Sequence, residues 1–310
     1  MTQIRSVKAR LPDRPASTPY SITVRAPYRL DLTVNVLRRL SANLVDVITP
    51  DGAYVRWLGD GPEVIRVWQP SADTLSVEIE GGRREYPRLV ALVRVMLGVE
   101  VDLTRFYRSA SQVEWLHPLV SRMSGVKPPR YPTLWEACAN AIVFQQISLH
   151  AASAIMGRLT RSLGEPIEHR GIPLYRFPGP VQVLRAPDSL LRGVGLSAGK
   201  RATLRRVAEA LGEGALDETH LQKFPSPEIA ARLRSIKGIG PWTAVVILLR
   251  GLGRLDVFPA NDTSVARNLR LVGAPVAPDI EPLLDTLGPD RGMLYYHLLL
   301  ARLETRGSLA

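Results

Sequence analysis

The chain has 310 residues, 45% of them hydrophobic, with 40 Lys and Arg against 29 Asp and Glu and a formal charge of +11. This length implies about two domains, the composition a packed core, and the charge a polyanionic partner, either nucleic acid or an acidic membrane surface. The single cysteine, Cys138, excludes an internal disulfide, a Cys-ligated zinc site and an iron–sulfur cluster.

Residues 1–18 are polar and proline-punctuated (RLPDRPASTP) and read as a flexible arm. No apolar segment follows the basic start, and no run of about 18 apolar residues occurs, so a reducing, cytoplasmic setting is expected. From 19 to 107 the segments "YSITVRA", "NLVDVIT", "AYVRWL", "VIRVW" and "TLSVEIE" are β-branched and partly alternating, with turn signals at Asp51-Gly52 and Gly81-Gly82. One helical stretch, "LDLTVNVLRRL", interrupts them. The expectation is an α+β domain with an antiparallel sheet.

After about residue 86 the period becomes helical. "YPRLVALVRVMLGV", "DLTRFYRSA", "LWEACANAIVFQQIS", "HAASAIMGRLTRSLG", "GKRATLRRVAEALG", "SPEIAARLRSI", "PWTAVVILLRGLG", "TSVARNLRLVG" and "GMLYYHLLLARLE" all space apolar residues by three and four. Gly or Pro closes most of them. A second, all-helical domain is expected over 108–310. Cys138 lies in an apolar run and reads as a small core residue.

The stretch "LRSIKGIGPWTAVVI" (233–247) reads as a helix end, a turn with two glycines, and a new helix. Ser226 suits the N-cap of the first helix and Pro227 its first turn; Gly238 can take left-handed geometry, Gly240 caps the second helix and Pro241 starts it. With so little side-chain bulk, the backbone N–H groups can reach an anion directly. Lys237, Gly238, Ile239, Gly240 and Thr243 are therefore candidate contacts to a phosphate backbone, made without reading base sequence. The plainer alternative is an ordinary turn between two helices.

The string "LxxIxGIGPWTA", followed by "GRLDVFPAND" with Asp262 lying 22 positions after Gly240, resembles the helix–hairpin–helix motif and acid of the HhH-GPD superfamily of base-excision DNA glycosylases. "AIVFQQIS" (141–148) resembles its Gln-Gln-Val/Ile-Ser helix, and "GVGLSAGKRATL" (193–204) its Gly-Leu-Ser-x-x-Lys segment. "PYRLDLTVNVLRRL" (27–40), set between strands, is similar to the N-terminal domain of the AlkA-type 3-methyladenine glycosylases. The resemblance implies an α+β chain: an N-terminal antiparallel, TBP-like sheet with helices, then an all-α glycosylase domain.

It also implies chemistry. A damaged base must be flipped out of double-stranded DNA, and breaking its bond leaves a sugar with oxocarbenium character. Asp262 is the carboxylate expected to steady that cation. Alone, Asp262 would read as an N-cap for "TSVARNLRLV", a role compatible with the catalytic one. Asp256 fits a structural Asp-Val-Phe, and Asn261 replaces a residue that is acidic or small in relatives. Trp242 stands where bifunctional relatives carry a nucleophilic lysine, which implies a monofunctional hydrolase. Its indole also suits a cationic alkylated purine.

Gln146 occupies the wedge position, and Tyr131, Trp135 and Phe144 are candidate pocket aromatics. Arg291 matches a Pro-x-Arg-Ser segment and reads as structural or phosphate-side. The histidines 117, 150, 169, 220 and 297 are scattered, and His297 reads as structural. The backbone carbonyls of Arg234, Ile236 and Ile239 match positions that hold sodium or potassium in relatives, and no catalytic cofactor is expected. The chain is expected to act as a monomer. Rival readings are a glycosylase for deaminated or oxidised bases and a non-catalytic DNA-binding protein.

Overall fold

A computed structural model of the chain describes residues 9–10, 19–59, 61–81, 86–260, 262, 265–275 and 280–309. The strands are β1 (Ala9–Arg10), β2 (Tyr20–Thr23), β3 (Val47–Ile48), β4 (Tyr54–Trp57), β5 (Val64–Ser71), β6 (Thr74–Glu80), β7 (Pro166–His169) and β8 (Ile172–Tyr175). The five segments read as strands form one antiparallel sheet in the order β2-β6-β5-β4-β3. In β6 the alternation puts Leu75, Val77 and Ile79 on one face. They pack under the helix Leu30–Arg38 through Val34 and Leu37, and under Tyr86–Met96 through Leu89, Val93 and Met96. Each such side chain contributes roughly 1.5–3 kcal/mol on burial.

Strand β4 is buried at every residue because its second face is covered as well. There Val55, Trp57 and Val64 meet Ile167 and Leu174 of the β7–β8 hairpin. The helical region is thus not free of strands. The hairpin turns through Arg170 (φ 50°) and Gly171 (φ 78°), two left-handed residues in succession. Arginine rarely adopts that geometry, which is why "HRGI" gives no hairpin signal in the sequence. β1 pairs in parallel with β7, so the segment read as an arm carries a short strand. The rest of that segment, residues 1–8 and 11–18, and also Asn261, lie outside the described residues.

All nine helical segments form helices. Five further helices, His117–Arg122, Pro180–Arg185, Asp188–Gly193, Glu218–Leu221 and Ile280–Leu287, are too short for a period to show. One core gathers Leu134–Phe144, Ala198–Gly212, Ser226–Arg234 and Pro241–Arg250, and includes the fully buried Cys138, whose thiol burial pushes up to about 12. A second core surrounds Met293–Glu304. It takes in Leu32 and Val36 from the N-terminal helix, and Phe106 from Thr104–Ala110, the helix that spans the expected boundary at 107/108. Between sheet and helices Arg56 is fully buried, held by Asp46 on one side and by Glu136 of Leu134–Phe144 on the other.

His297 is fully buried in the second core, stacked 5.0 Å from Phe106, with Nδ1 2.8 Å from the Met293 carbonyl. Burial lowers its pKa from 6.5 to about 4, opposed by the hydrogen bond to Met293. The folded value lies below the unfolded one, so protons favour the unfolded chain as pH falls from about 6.5 towards about 4. Stability should drop by about 2 kcal/mol from this residue alone between neutral pH and pH ~5. Urea midpoints across that range should fall less steeply in His297→Leu; parallel curves would refute the assignment.

Candidate active site

The first hairpin helix, Ser226–Arg234, is capped by Pro225, one residue earlier than expected. The Ser226 hydroxyl does not turn back on its own helix but donates to Asp256 Oδ1 at 2.8 Å. Asp256 is accordingly a structural acid. Ile229 and Leu233 bury this helix in the first core. The second helix, Pro241–Arg250, starts from Gly240 with Pro241 at its first position. It buries Ala244, Val246, Ile247 and Leu248 in the same core.

The two glycines of the turn are needed for different reasons. Gly238 has φ +104°, and a Cβ there would fall 1.8 Å from Thr203 Oγ1, so both backbone strain and contact demand glycine. Gly240 has φ −88°, and a Cβ there would meet no protein atom within 4 Å. Its bareness leaves open space in front of the helix N-terminus. Lys237 and Gly238 are exposed, whereas the Ile239 side chain is buried. The Lys237 carbonyl accepts from Arg206 Nη1 at 3.1 Å, which fastens the turn to Ala198–Gly212.

Gln145 joins the turn to the helix Leu134–Phe144. Its Nε2 donates to the Gly238 carbonyl at 3.1 Å and to Thr243 Oγ1 at 2.5 Å. Thr243 is fully buried, so its side chain secures Gln145 and is not itself a DNA contact as the sequence suggested; only its backbone belongs to the helix N-terminus. Lys200 Nζ donates to the carbonyls of Val143 and Gln145, each at 2.8 Å. That places a cation at a helix C-terminus, where burial lowers its pKa. Gln146 follows at φ 54°, exposed at the tip of the loop, with Ile147 exposed beside it. A left-handed glutamine is strained, and the Lys200–Gln145 network is what holds it there.

Asp262 lies next to Trp242. The indole Nε1–H donates to Asp262 Oδ2 at 2.8 Å. The Asp262 N–H donates to the Pro259 carbonyl at 3.0 Å, and its carbonyl accepts from the Val265 N–H at 2.9 Å, at the start of Val265–Leu271. The acid is half-buried, as is Trp242. The turn glycines, the indole and the acid are therefore brought together in space. A half-buried carboxylate oriented by an indole N–H is a group that can face a developing cation.

Tyr131 and Trp135 are not brought to this place. Tyr131 is buried in the sheet core with the Arg250 guanidinium 4.6 Å over its ring. Trp135 is buried in the first helical core, and its indole donates to the Pro178 carbonyl at 2.7 Å. Phe144 is half-buried between the two helical cores, one face taken by Arg39 at 3.9 Å. Arg291 Nε donates to the Gly288 carbonyl, a local structural contact. Among the described residues no group of three or more His, Cys, Asp or Glu side chains could hold a metal, and no helix is long and apolar enough to cross a membrane. The carbonyls of Arg234, Ile236 and Ile239 line the turn; that of Ile236 already accepts from the Ile239 N–H at 3.0 Å, which leaves it one lone pair for a cation.

Residues 139–279 match the HhH-GPD superfamily of base excision DNA repair proteins. A 3-methyladenine DNA-glycosylase from Archaeoglobus fulgidus has a similar structure, with a TM-score of 0.75 and 26% identity over 92% of this chain and 99% of that one. A DNA-3-methyladenine glycosylase of Bacillus subtilis is 26% identical over 63% of this chain and 63% of its own length. A probable bifunctional transcriptional activator/DNA repair enzyme AlkA of Mycobacterium tuberculosis is 26% identical over 82% of this chain and 51% of its own length. The chain thus spans between half and two thirds of these two curated relatives. The hairpin, its glycines and the acid 22 positions on all lie inside the region 139–279 that matches the HhH-GPD superfamily, and these relatives are named as 3-methyladenine glycosylases or AlkA.

Proposed function

We propose that this chain is a monofunctional DNA glycosylase. It turns an alkylated purine of the 3-methyladenine or 7-methylguanine type out of double-stranded DNA and hydrolyses its bond to the sugar, leaving an abasic site for base-excision repair. The observation that carries this reading is the 2.8 Å hydrogen bond from Trp242 to Asp262 beside the glycine turn. It supports a reading in which an oriented carboxylate faces the flipped sugar and an indole stands in place of a lyase's amine.

The steps follow from the geometry. The N–H groups around Gly240 take a backbone phosphate. Gln146, thrust outward by its left-handed backbone, enters the gap in the stack and fills it. The departing base leaves positive charge on the sugar, which Asp262 steadies while water adds at the anomeric carbon. Alkylation has already made the base a good leaving group, so no general acid is required. The hairpin carbonyls of Arg234, Ile236 and Ile239 would hold a sodium or potassium ion, which adds positive charge beside the phosphate. A monomer acting in the cytoplasm suffices for this chemistry, since every group named lies on one chain.

Asp262→Asn keeps the Trp242 contact but removes the charge. Release of 3-methyladenine from methylated DNA should fall by at least about a hundredfold, a loss of about 3 kcal/mol in transition-state stabilisation, while binding to an abasic duplex persists. Undiminished release would remove Asp262 from the mechanism. Borohydride treatment during turnover should trap no enzyme–DNA adduct; a trapped band would mean an amine attacks the sugar. Finally, Gly238→Ala should cost about 1–3 kcal/mol in thermal stability, whereas Gly240→Ala should melt with the wild type yet bind DNA more weakly. Equal DNA affinity in Gly240→Ala would remove that N-terminus from the interface.

A further inference from the structure

The last helix, Met293–Glu304, brings to Asp262 a surplus of positive charge that the steps above leave unused. Arg302 is half-buried in its final turn, within electrostatic reach of Arg306, Arg267 and Asp262. Arg306 follows four positions later, on the same side of the chain, and its Nη1–H donates to His150 Nδ1 at 3.1 Å. His150 is exposed in the first turn of Leu149–Leu163, just beyond the loop that carries Gln146. Arg267 is exposed on Val265–Leu271, which packs against the last helix. Two elements from distant parts of the sequence therefore bring guanidinium groups within electrostatic reach of Asp262, and His150 ties one of them to a third.

Among the described residues Asp262 is the acid that acts on Arg302. Glu304, the nearest acid along the helix, pairs with Arg122 instead. Among the described residues no carboxylate lies within ion-pair distance of Arg267, Arg302 or Arg306. Burial and then its cationic neighbours bias Arg302 against its charge, and Asp262 alone favours it. An arrangement in which three guanidinium groups repel one another is relieved by an anion from outside. Guanidinium forks match phosphate oxygens in pairs, and they are less strongly hydrated than ammonium groups.

We propose that Arg302 and Arg306, supported by Arg267 and His150, form a second phosphate clamp, separate from the glycine hairpin, on the DNA strand whose nucleotide turns towards Asp262. The clamp rests on the proposed glycosylase reading only in that DNA is the ligand. It would hold the strand from the last helix while the hairpin holds it from the Trp242 side, so that the sugar between them is stretched towards the acid.

The test is fluorescence anisotropy with a duplex carrying a tetrahydrofuran abasic analogue, from about 50 to about 300 mM KCl. Arg302→Gln and Arg306→Gln should each weaken binding by about five- to tenfold near 100 mM salt. Each should also reduce the slope of log K against log salt by about 1, and the pair by about 2. Arg302→Lys, which keeps the charge, should retain the slope. An unchanged slope in the double variant overturns the clamp. If Arg302→Gln melts early, the exposed Arg306→Gln and Arg267→Gln carry the test, and unchanged slopes in both overturn it. Reduced slopes from a wild type that releases no alkylated base would uphold the clamp and overturn the glycosylase reading instead.

Discussion

One hydrogen bond organises the site: the Trp242 indole N–H donating to the Asp262 carboxylate. It joins the helix Pro241–Arg250, which on the proposed reading offers its first amides to a phosphate, with the loop whose carboxylate would face a cation. Those two demands are electrostatically opposed, and a free carboxylate this close would itself compete for the helix N-terminus. Giving the acid its own donor fixes the position of one of its oxygens. It also explains why an indole, with one N–H on a large rigid body, can stand where a lysine would otherwise be. A lysine there would pair with the acid as an ion and change the chemistry; the indole orients it without neutralising it.

The second constraint is the fastening of the wedge loop to the hairpin. Gln145 spends its amide on the Gly238 carbonyl and the buried Thr243 hydroxyl, while Lys200 closes the two carbonyls behind it. The left-handed Gln146 is then the residue left over at the tip. Strain of about 1–3 kcal/mol at such a residue persists only where its surroundings over-determine it. Here they do, because the loop is tied on both sides to helices of the same core. The helix that ends in this loop also bears Glu136, paired with the fully buried Arg56 of the sheet. A buried ion pair contributes little net stability but is costly to break. Its effect here is to fix how the N-terminal sheet sits against the helix that leads to Gln146.

Much of this was legible in the sequence, and what was not has physical causes. The strands, the long helices and the hairpin were readable because each rests on local signals: alternation, a period of three and four, and glycine and proline at turns. The β7–β8 hairpin was not, because its turn uses a left-handed arginine. Nor were Tyr131 and Trp135, since an aromatic at helical spacing looks the same whether it lines a pocket or, as here, packs a core. Thr243 was read as a contact although it is a fastener. The side chains that fix the geometry, Lys200, Thr203, Arg206 and Gln145, act over sequence separations of 31 to 98 residues. No local pattern encodes such partners.

Net charge illustrates the same limit. A formal +11 names a class of partner but no face of the molecule. Many of the arginines are already spoken for: Arg25 by Asp102, Arg94 by Glu100, Arg122 by Glu304, Arg201 by Asp188. Exposed pairs of this kind are each worth less than about 1 kcal/mol, so they add little to stability, but they cancel charge locally. The field that reaches a phosphate comes from cations without such partners. Lys237 is exposed at the turn, and Arg302 lies within electrostatic reach of Asp262. On the proposed reading it is the placement of the surplus charge near Asp262, and not its size, that would bring a strand to the acid.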